Sequence, residues 1–219
     1  IRKIWVRVLR YRIENLWQKY DLLDHAQHGY TRGQGCDTAV MQLVNAIEEC
    51  RDTMTTAFLS SWDIVKAFDS PSKNLQKLAL GRLGVLYALA DYIVDFEAKG
   101  IAVVRTPQAQ KQVHEKGVAG FSLTAEDMSN IRAFRQEKGM GQGDPPSTAI
   151  WKAIFDILLR MLREVSKDSL YTATTRRAQR IVEKALADDL ISCASTISGI
   201  QLKADIVSMF TIWSRWKCR

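Results

Sequence analysis

The sequence predicts an α+β fold in which helices cover one face of an antiparallel sheet. Three observations predict it. Large apolar residues at the start (Trp5, Leu9, Ile13, Leu16, Trp17 and Tyr20) recur every three or four positions, the period of an amphipathic helix. A short run rich in β-formers, 55–65, then stands between helical segments. Two further β-prone runs, Ile181-Val182 and Leu190-Ile-Ser-Cys193, flank Ala187-Asp-Asp189, the pattern of a hairpin with acids at its tip. Strand, helices, hairpin and helix in this order favour helices packed on one side of an antiparallel sheet.

In chain order, the first helix is expected over 4–20. The stretch 27–35 carries three glycines without periodicity and is expected as a loop. Asp37 is placed to cap the next helix, with Ala39, Leu43, Ala46 and Ile47 on its inner face. After the strand, Ser70-Pro71 reads as cap and first turn of a helix running to Leu83 and stopped by Gly84. A further helix over 86–99, closed by Gly100, leads to a short strand at 101–104. Residues 105–133, of mixed charge and no clear period, read as an insertion or long loop. Helical periodicity returns over 150–165, and a last helix is expected from about Ile200 to Trp216.

The 219 residues, 47% hydrophobic, suffice for one sizeable core or two small lobes. A charged fraction of 25%, mixed in sign, excludes a disordered tail. No apolar run approaches the roughly 18–20 residues of a membrane span, so no membrane partner is expected. The net charge of +7, from 31 basic and 24 acidic residues, favours a polyanionic partner. Arg2, Lys3, Arg7, Arg10, Arg12, Lys19 and Arg32 crowd the first segment, which suits either phosphate contacts or a solvated helix face. Cys36, Cys50, Cys193 and Cys218 show no paired spacing and read as free thiols. His25 and His28 lack further ligands in sequence, so a structural role outweighs a zinc site. Starting at Ile1 and stopping in Arg215-Trp-Lys-Cys-Arg219, the sequence reads as a fragment.

The chemistry-bearing residues lie in three places. Asp63 stands near the end of the expected strand, in Ser60-Ser-Trp-Asp-Ile-Val-Lys-Ala-Phe-Asp69, with the Ile64 carbonyl beside it as a further oxygen ligand. Asp188 and Asp189 form the hairpin tip, and two adjacent acids with apolar flanks are unfavourable unless a cation neutralises them. Between them lies Gly139-Met-Gly-Gln-Gly-Asp-Pro-Pro-Ser147, where Gly139, Gly141 and Gly143 permit close backbone approach to a ligand ahead of a helix N-terminus that attracts phosphate. Nucleotidyl transfer uses two divalent ions roughly 3.5–4 Å apart, held by carboxylates from different strands, which is the pattern these acids offer. Each piece alone is weak: an Asp-Asp pair is often a solvated turn, and a glycine loop is often a connector. Their order and spacing carry the argument.

Together these residues resemble the reverse transcriptase family. Trp62-Asp-Ile-Val-Lys-Ala-Phe-Asp69 is similar to its first palm motif, Gly139 to Ser147 to its Gln-Gly motif, and Leu186-Ala-Asp-Asp189 to its aromatic-x-Asp-Asp motif. Gln27-His-Gly-Tyr30, Arg82-Leu-Gly-Val85 and Ile200-Gln-Leu-Lys-Ala-Asp-Ile-Val-Ser208 extend the resemblance to non-LTR (LINE-type) retrotransposon enzymes, over nearly all the chain except 105–133. The resemblance implies a right-hand polymerase palm with partial helical fingers. Residues 1–54 would belong to the fingers, 55–104 to the first part of the palm, and 134–219 to the palm with its Gln-Gly motif and Asp-Asp hairpin.

It further implies that Asp63, Asp188 and Asp189 hold two Mg²⁺ ions, replaceable by Mn²⁺, with Asp63 and Asp188 as the bridging ligands. Phe68 would be the gate that clashes with a ribose 2′-hydroxyl, a core aromatic being the alternative. Gln142 and Gly143 would line the nucleotide pocket, and Arg32 would contact a phosphate. The implied partners are an RNA template, a DNA primer and deoxynucleoside triphosphates, in an intracellular setting, as a nuclear or cytoplasmic ribonucleoprotein if the element is eukaryotic. The sequence departs from the family at Leu186, where Phe or Tyr is usual, and at Thr148, where Pro commonly stands. In the family a triphosphate-gripping segment would precede Ile1 and a thumb would follow Arg219, so the chain alone is expected to synthesise little DNA. A viral-type RNA-dependent RNA polymerase palm and an inactive nucleic-acid-binding remnant are the competing readings.

Overall fold

The structure is a computed structural model that describes residues 2–99, 101–103, 133–165, 183–215 and 217–218. Among the described residues twelve elements follow in order: α1 (Arg2–Lys19), α2 (Cys36–Asp52), β1 (Phe58–Val65), α3 (Lys73–Arg82), α4 (Tyr87–Lys99), β2 (Ile101–Val103), β3 (Ala133–Arg135), α5 (Ser147–Val165), β4 (Glu183–Leu186), β5 (Asp189–Ala194), α6 (Ile197–Ser214) and β6 (Lys217–Cys218). The strands make one antiparallel sheet in the order β4-β5-β1-β6 and a separate antiparallel pair, β2 with β3. The expected α+β class is borne out.

The sheet has one dry face. Along β1, Ser60, Trp62 and Ile64 are more buried than Leu59, Ser61 and Asp63, the period-two alternation of a half-covered strand. Against the dry face lie α6, which contacts β1 and β5, and α5, which reaches β4 and whose Ile150, Trp151, Ile154, Phe155, Leu158, Leu159 and Leu162 repeat at helical spacing and are all buried. Helix α5 packs on α3, α6 and β4, so it is the hub of the core. Burial of seven such side chains contributes on the order of 10 kcal/mol before entropy is counted.

Several local expectations need correction. Asp37 does not cap α2. Gly35 does, in an extended conformation, with its N–H donated to the Thr38 hydroxyl at 2.9 Å, while Asp37 sits in the first turn, where its charge suits the helix dipole. Of the expected inner face of α2, Ala39 and Ala46 are buried, but Ile47 is exposed and Cys50 is buried instead. Helix α3 starts two residues later than expected, because the Ser72 hydroxyl accepts the Leu75 N–H, whereas the Ser70 hydroxyl donates to the Lys66 carbonyl. Strands β3 and β6 were not anticipated. Each is only two or three residues long and exists by pairing with a distant partner, which local periodicity does not reveal. The Ile181-Val182 run and most of the expected 105–133 insertion lie outside the described residues. No described helix is long and apolar enough to cross a membrane, and Cys36, Cys50 and Cys193 are free.

Candidate active site

The β1–β5 register sets Asp63 directly opposite Asp189. Residues so paired have Cβ atoms about 4.5–5.5 Å apart and share one face of the sheet. Asp188 occupies the turn that joins β4 to β5, between the paired residues Leu186 and Asp189. Burial pushes the Asp189 carboxyl above the usual range, and the charges of Asp188 and then Asp63 push it further. Asp189 thus feels the charge of both other carboxylates. Among the described residues, no group of three His, Cys, Asp or Glu side chains converges closely enough to chelate an ion by itself. Asp188 lies on the turn and Asp189 on the strand.

Such a set still fits a hard cation. Mg²⁺ takes one or two carboxylates and completes its octahedron with water and substrate phosphate, and uncompensated negative charge here would favour it. Ile64, the other expected ligand, is 3% exposed and paired with Cys218 across β1 and β6.

The turn itself is held from two sides. Ala187 has φ 57°, a left-handed conformation that costs a residue with a Cβ about 1–2 kcal/mol. The Trp151 indole N–H donates to the Ala187 carbonyl at 2.9 Å. Opposite, a Cβ added to Gly29 would lie 2.2 Å from the Ala187 nitrogen, so only glycine fits there. The surrounding loop is laced to β4: the His28 N–H donates to the Ala185 carbonyl and the Ala185 N–H to the Ala26 carbonyl, both at 2.8 Å. His28 is therefore structural, with Nδ1 2.9 Å from the Thr38 hydroxyl, and His25 pairs with Asp21 at 3.2 Å.

The Gln-Gly segment lies against the end of β1. Gly139 N–H donates to the Pro71 carbonyl at 2.8 Å and Met140 N–H to the Phe68 carbonyl at 2.6 Å. Lys73 and Gln76 both donate to the Gly139 carbonyl, at 2.9 and 2.8 Å. Gly139, with φ 74°, admits no side chain, because a Cβ would meet the Asp69 carbonyl oxygen at 2.6 Å. Its close approach is thus to Asp69 backbone and not to a ligand, as the sequence had suggested.

Beside this segment is a cleft of about 540 Å³ lined by Phe68, Gln142, Gly143, Tyr30, Arg7 and Arg10, with Asp144, Pro145, Ser147 and Thr148 completing the wall. Phe68 is half-buried, stacks on Trp151 at 5.3 Å and meets Tyr30 edge-on at 6.1 Å. Burial and the nearby Asp188 charge raise the Tyr30 phenol, so the cleft opens beside the acidic turn. Arg10 donates to the Pro145 carbonyl at 3.4 Å and pairs with Glu14, which also meets Lys152. Arg32 is exposed and lies elsewhere, in an adjoining cleft of about 550 Å³ that shares Tyr30 and Arg10 as a wall.

Phe68, Gln142 and Gly143 are therefore brought together, and Asp63, Asp188 and Asp189 form a second group beside them. Trp151, Tyr30 and Gly29 were missed as site residues. The one signal for the latter two was the Gln27-His-Gly-Tyr30 match, and Trp151 reads in sequence as one more apolar residue of a helix.

Over 184 residues, 83% of its length, the chain is 27% identical to the Retrovirus-related Pol polyprotein from type-2 retrotransposable element R2DM of Drosophila melanogaster. Its homologues are R2 retrotransposon Pol polyproteins. The R2 Pol polyprotein of Nasonia vitripennis is 27% identical over 184 residues and that of Popillia japonica 26% over 191, matching 84% and 87% of the chain. The chain spans 15%, 15% and 23% of these three relatives' lengths. No family model matches it.

Two solved structures share the fold. The apo telomerase of Candida tropicalis truncated from its C-terminal domain superposes with TM-score 0.50 at 13% identity, covering 93% of this chain and 36% of that one. The Candida albicans telomerase in complex with the TWJ fragment of telomeric RNA gives 0.51 at 13%, covering 92% and 31%. The resemblance to a non-LTR retrotransposon polymerase, read first from motifs, is matched by relatives of that kind.

Proposed function

We propose that this chain is the nucleotidyl-transfer core of a reverse transcriptase, extending a DNA primer along an RNA template with deoxynucleoside triphosphates. The observation that carries this reading is the strand register that sets Asp63 opposite Asp189 beside the Asp188 turn, with the Phe68–Gln142–Gly143 cleft adjoining. Residues 1–54 serve as part of the fingers, and the sheet with α3–α6 as the palm.

In this reading Asp63, Asp188 and Asp189, with the Ile64 carbonyl, hold two Mg²⁺ ions, for which Mn²⁺ substitutes. When bound, the ions supply Lewis-acid activation of the primer 3′-hydroxyl and neutralise the triphosphate. The protein's own groups orient the reactants. Phe68 stands where a 2′-hydroxyl would clash, Gln142 and Gly143 line the nucleotide, and Arg7 and Arg10 face its phosphates from α1. Arg32, across the Tyr30 wall, meets a backbone phosphate of the template. The 3′-hydroxyl gives its proton to water as its oxygen bonds to the α-phosphorus, and the α–β phosphoanhydride bond breaks to release pyrophosphate, so most of the catalysis is positioning and charge stabilisation.

The test is primer extension on an RNA template, using the polyprotein that carries this chain. Asp188→Asn is expected to lower the rate about 10³-fold, a loss of several kcal/mol of transition-state charge stabilisation. Unchanged extension by that variant would overturn the assignment of the carboxylates. Equal use of ribonucleotides by the wild type would overturn the DNA-polymerase reading in favour of an RNA polymerase.

A further inference from the structure

Trp151 connects two parts of the site that lie far apart in sequence. It is fully buried, yet its indole N–H is spent on the Ala187 carbonyl, 36 residues away, at 2.9 Å. Its ring face is stacked on Phe68, with centroids 5.3 Å apart and 28° between planes. The same ring also stacks on Phe155 of α5 at 5.4 Å, so it has one aromatic partner within its helix and one outside it. Ala187 is the residue whose left-handed backbone shapes the turn, and Asp188 follows it directly. A buried donor fixed on a strained carbonyl one residue before an acidic pair determines where those acids stand.

We propose that Trp151 is a positioning residue that holds the Asp188–Asp189 turn in place against Phe68, so that the geometry of the carboxylates is tied to the wall of the nucleotide cleft. The inference rests on the metal assignment above and adds to it a residue that touches neither metal nor substrate. Partners that orient metal ligands from outside typically contribute about 10–100-fold in affinity.

Mn²⁺ binding by this chain, followed by the electron paramagnetic resonance of the free ion, reads this without requiring synthesis. Trp151→Phe keeps a ring for the stack and loses the N–H, and is expected to weaken Mn²⁺ binding about tenfold. Adding Ala187→Gly should return affinity to within about threefold of wild type, because glycine adopts the left-handed turn without a side-chain penalty and needs less holding. A purely structural loss of packing in α5 would not be repaired by a glycine at the hairpin. Thermal unfolding verifies that each variant is folded at the assay temperature, and Trp151→Tyr replaces the Phe variant if that one is not.

Equal affinity of the Phe variant and wild type, or failure of Ala187→Gly to rescue, would overturn the inference and leave the carboxylate assignment standing. A folded wild type that binds no Mn²⁺ would overturn the metal assignment itself, and the inference with it.

Discussion

Asp63 and Asp189 face each other across adjacent strands, and like charges directly opposite destabilise a sheet by up to about 1 kcal/mol. Burial chiefly, then the Asp188 charge and last this repulsion from Asp63, raise the Asp189 carboxyl. A carboxyl whose folded pKa lies above its unfolded value binds more protons in the native state. Its penalty is therefore absent at low pH and grows as pH rises through the unfolded and then the folded pKa. Asp189→Asn should thus raise the unfolding midpoint by about 2 °C at neutral pH in chelator, with the difference vanishing near pH 3. Added Mg²⁺ should stabilise the wild type and not the variant, which differential scanning fluorimetry can measure. At Phe68 the expectation concerns selectivity. Phe68→Ala should relax discrimination against ribonucleotides by about 10- to 100-fold while retaining synthesis, measured as the ratio of kcat/KM for the two sugars. An unchanged ratio would reduce Phe68 to a core aromatic, a reading its stack on Trp151 also suits.

At the scale of elements, the hairpin β4–β5 and the Gln-Gly segment are each held by backbone contacts that leave room for glycine alone. Gly139 combines φ 74° with a Cβ position 2.6 Å from the Asp69 carbonyl oxygen. Gly139→Ala is therefore expected to cost at least about 2 kcal/mol in urea unfolding and to displace Gln142 and Gly143 from Phe68. The acidic hairpin was legible because β-prone runs around Ala187-Asp-Asp189 imply a turn with acids at its tip. The start of α3 was misread because Ser70 and Ser72 are equally good caps in isolation, and only Ser72 has its hydroxyl on the Leu75 N–H. Strands β3 and β6 were illegible for a different reason: two or three residues hold no period, and their partners lie far away in the chain.

At the scale of the molecule, ion pairs between buried carboxylates and partly exposed arginines tie the first loop to the core. Asp156, 1% exposed on α5, accepts from the Asp24 N–H at 2.5 Å and pairs with Arg82 at the end of α3 and with Arg160. Arg163 pairs with Asp24 at 2.6 Å, and the Ala26 N–H donates to the same carboxylate. This network draws the chain beneath α5 and so delivers Gln27 to Tyr30 to the acidic turn. Asp156→Ala would leave the buried Asp24 N–H without its acceptor while Arg82 and Arg160 stay within reach of solvent, and is expected to cost about 1–3 kcal/mol, readable as a lowered urea midpoint. On the far side, Lys203 of α6 is fully buried between Glu183 at 2.9 Å and the Cys193 carbonyl, which fastens the last helix to the hairpin.

The amino-acid sequence by itself determined the α+β class, the acidic residues and the Gln-Gly segment, because periodicity, turn chemistry and residue type are local properties. Tertiary structure alone decided that Asp63 stands opposite Asp189, that Gly29 makes room for Ala187, and that an apolar-looking Trp151 spends its N–H on the turn. Those contacts join residues far apart in the chain. Which residues meet depends on strand register and on how α5 packs, and neither is encoded in any short window.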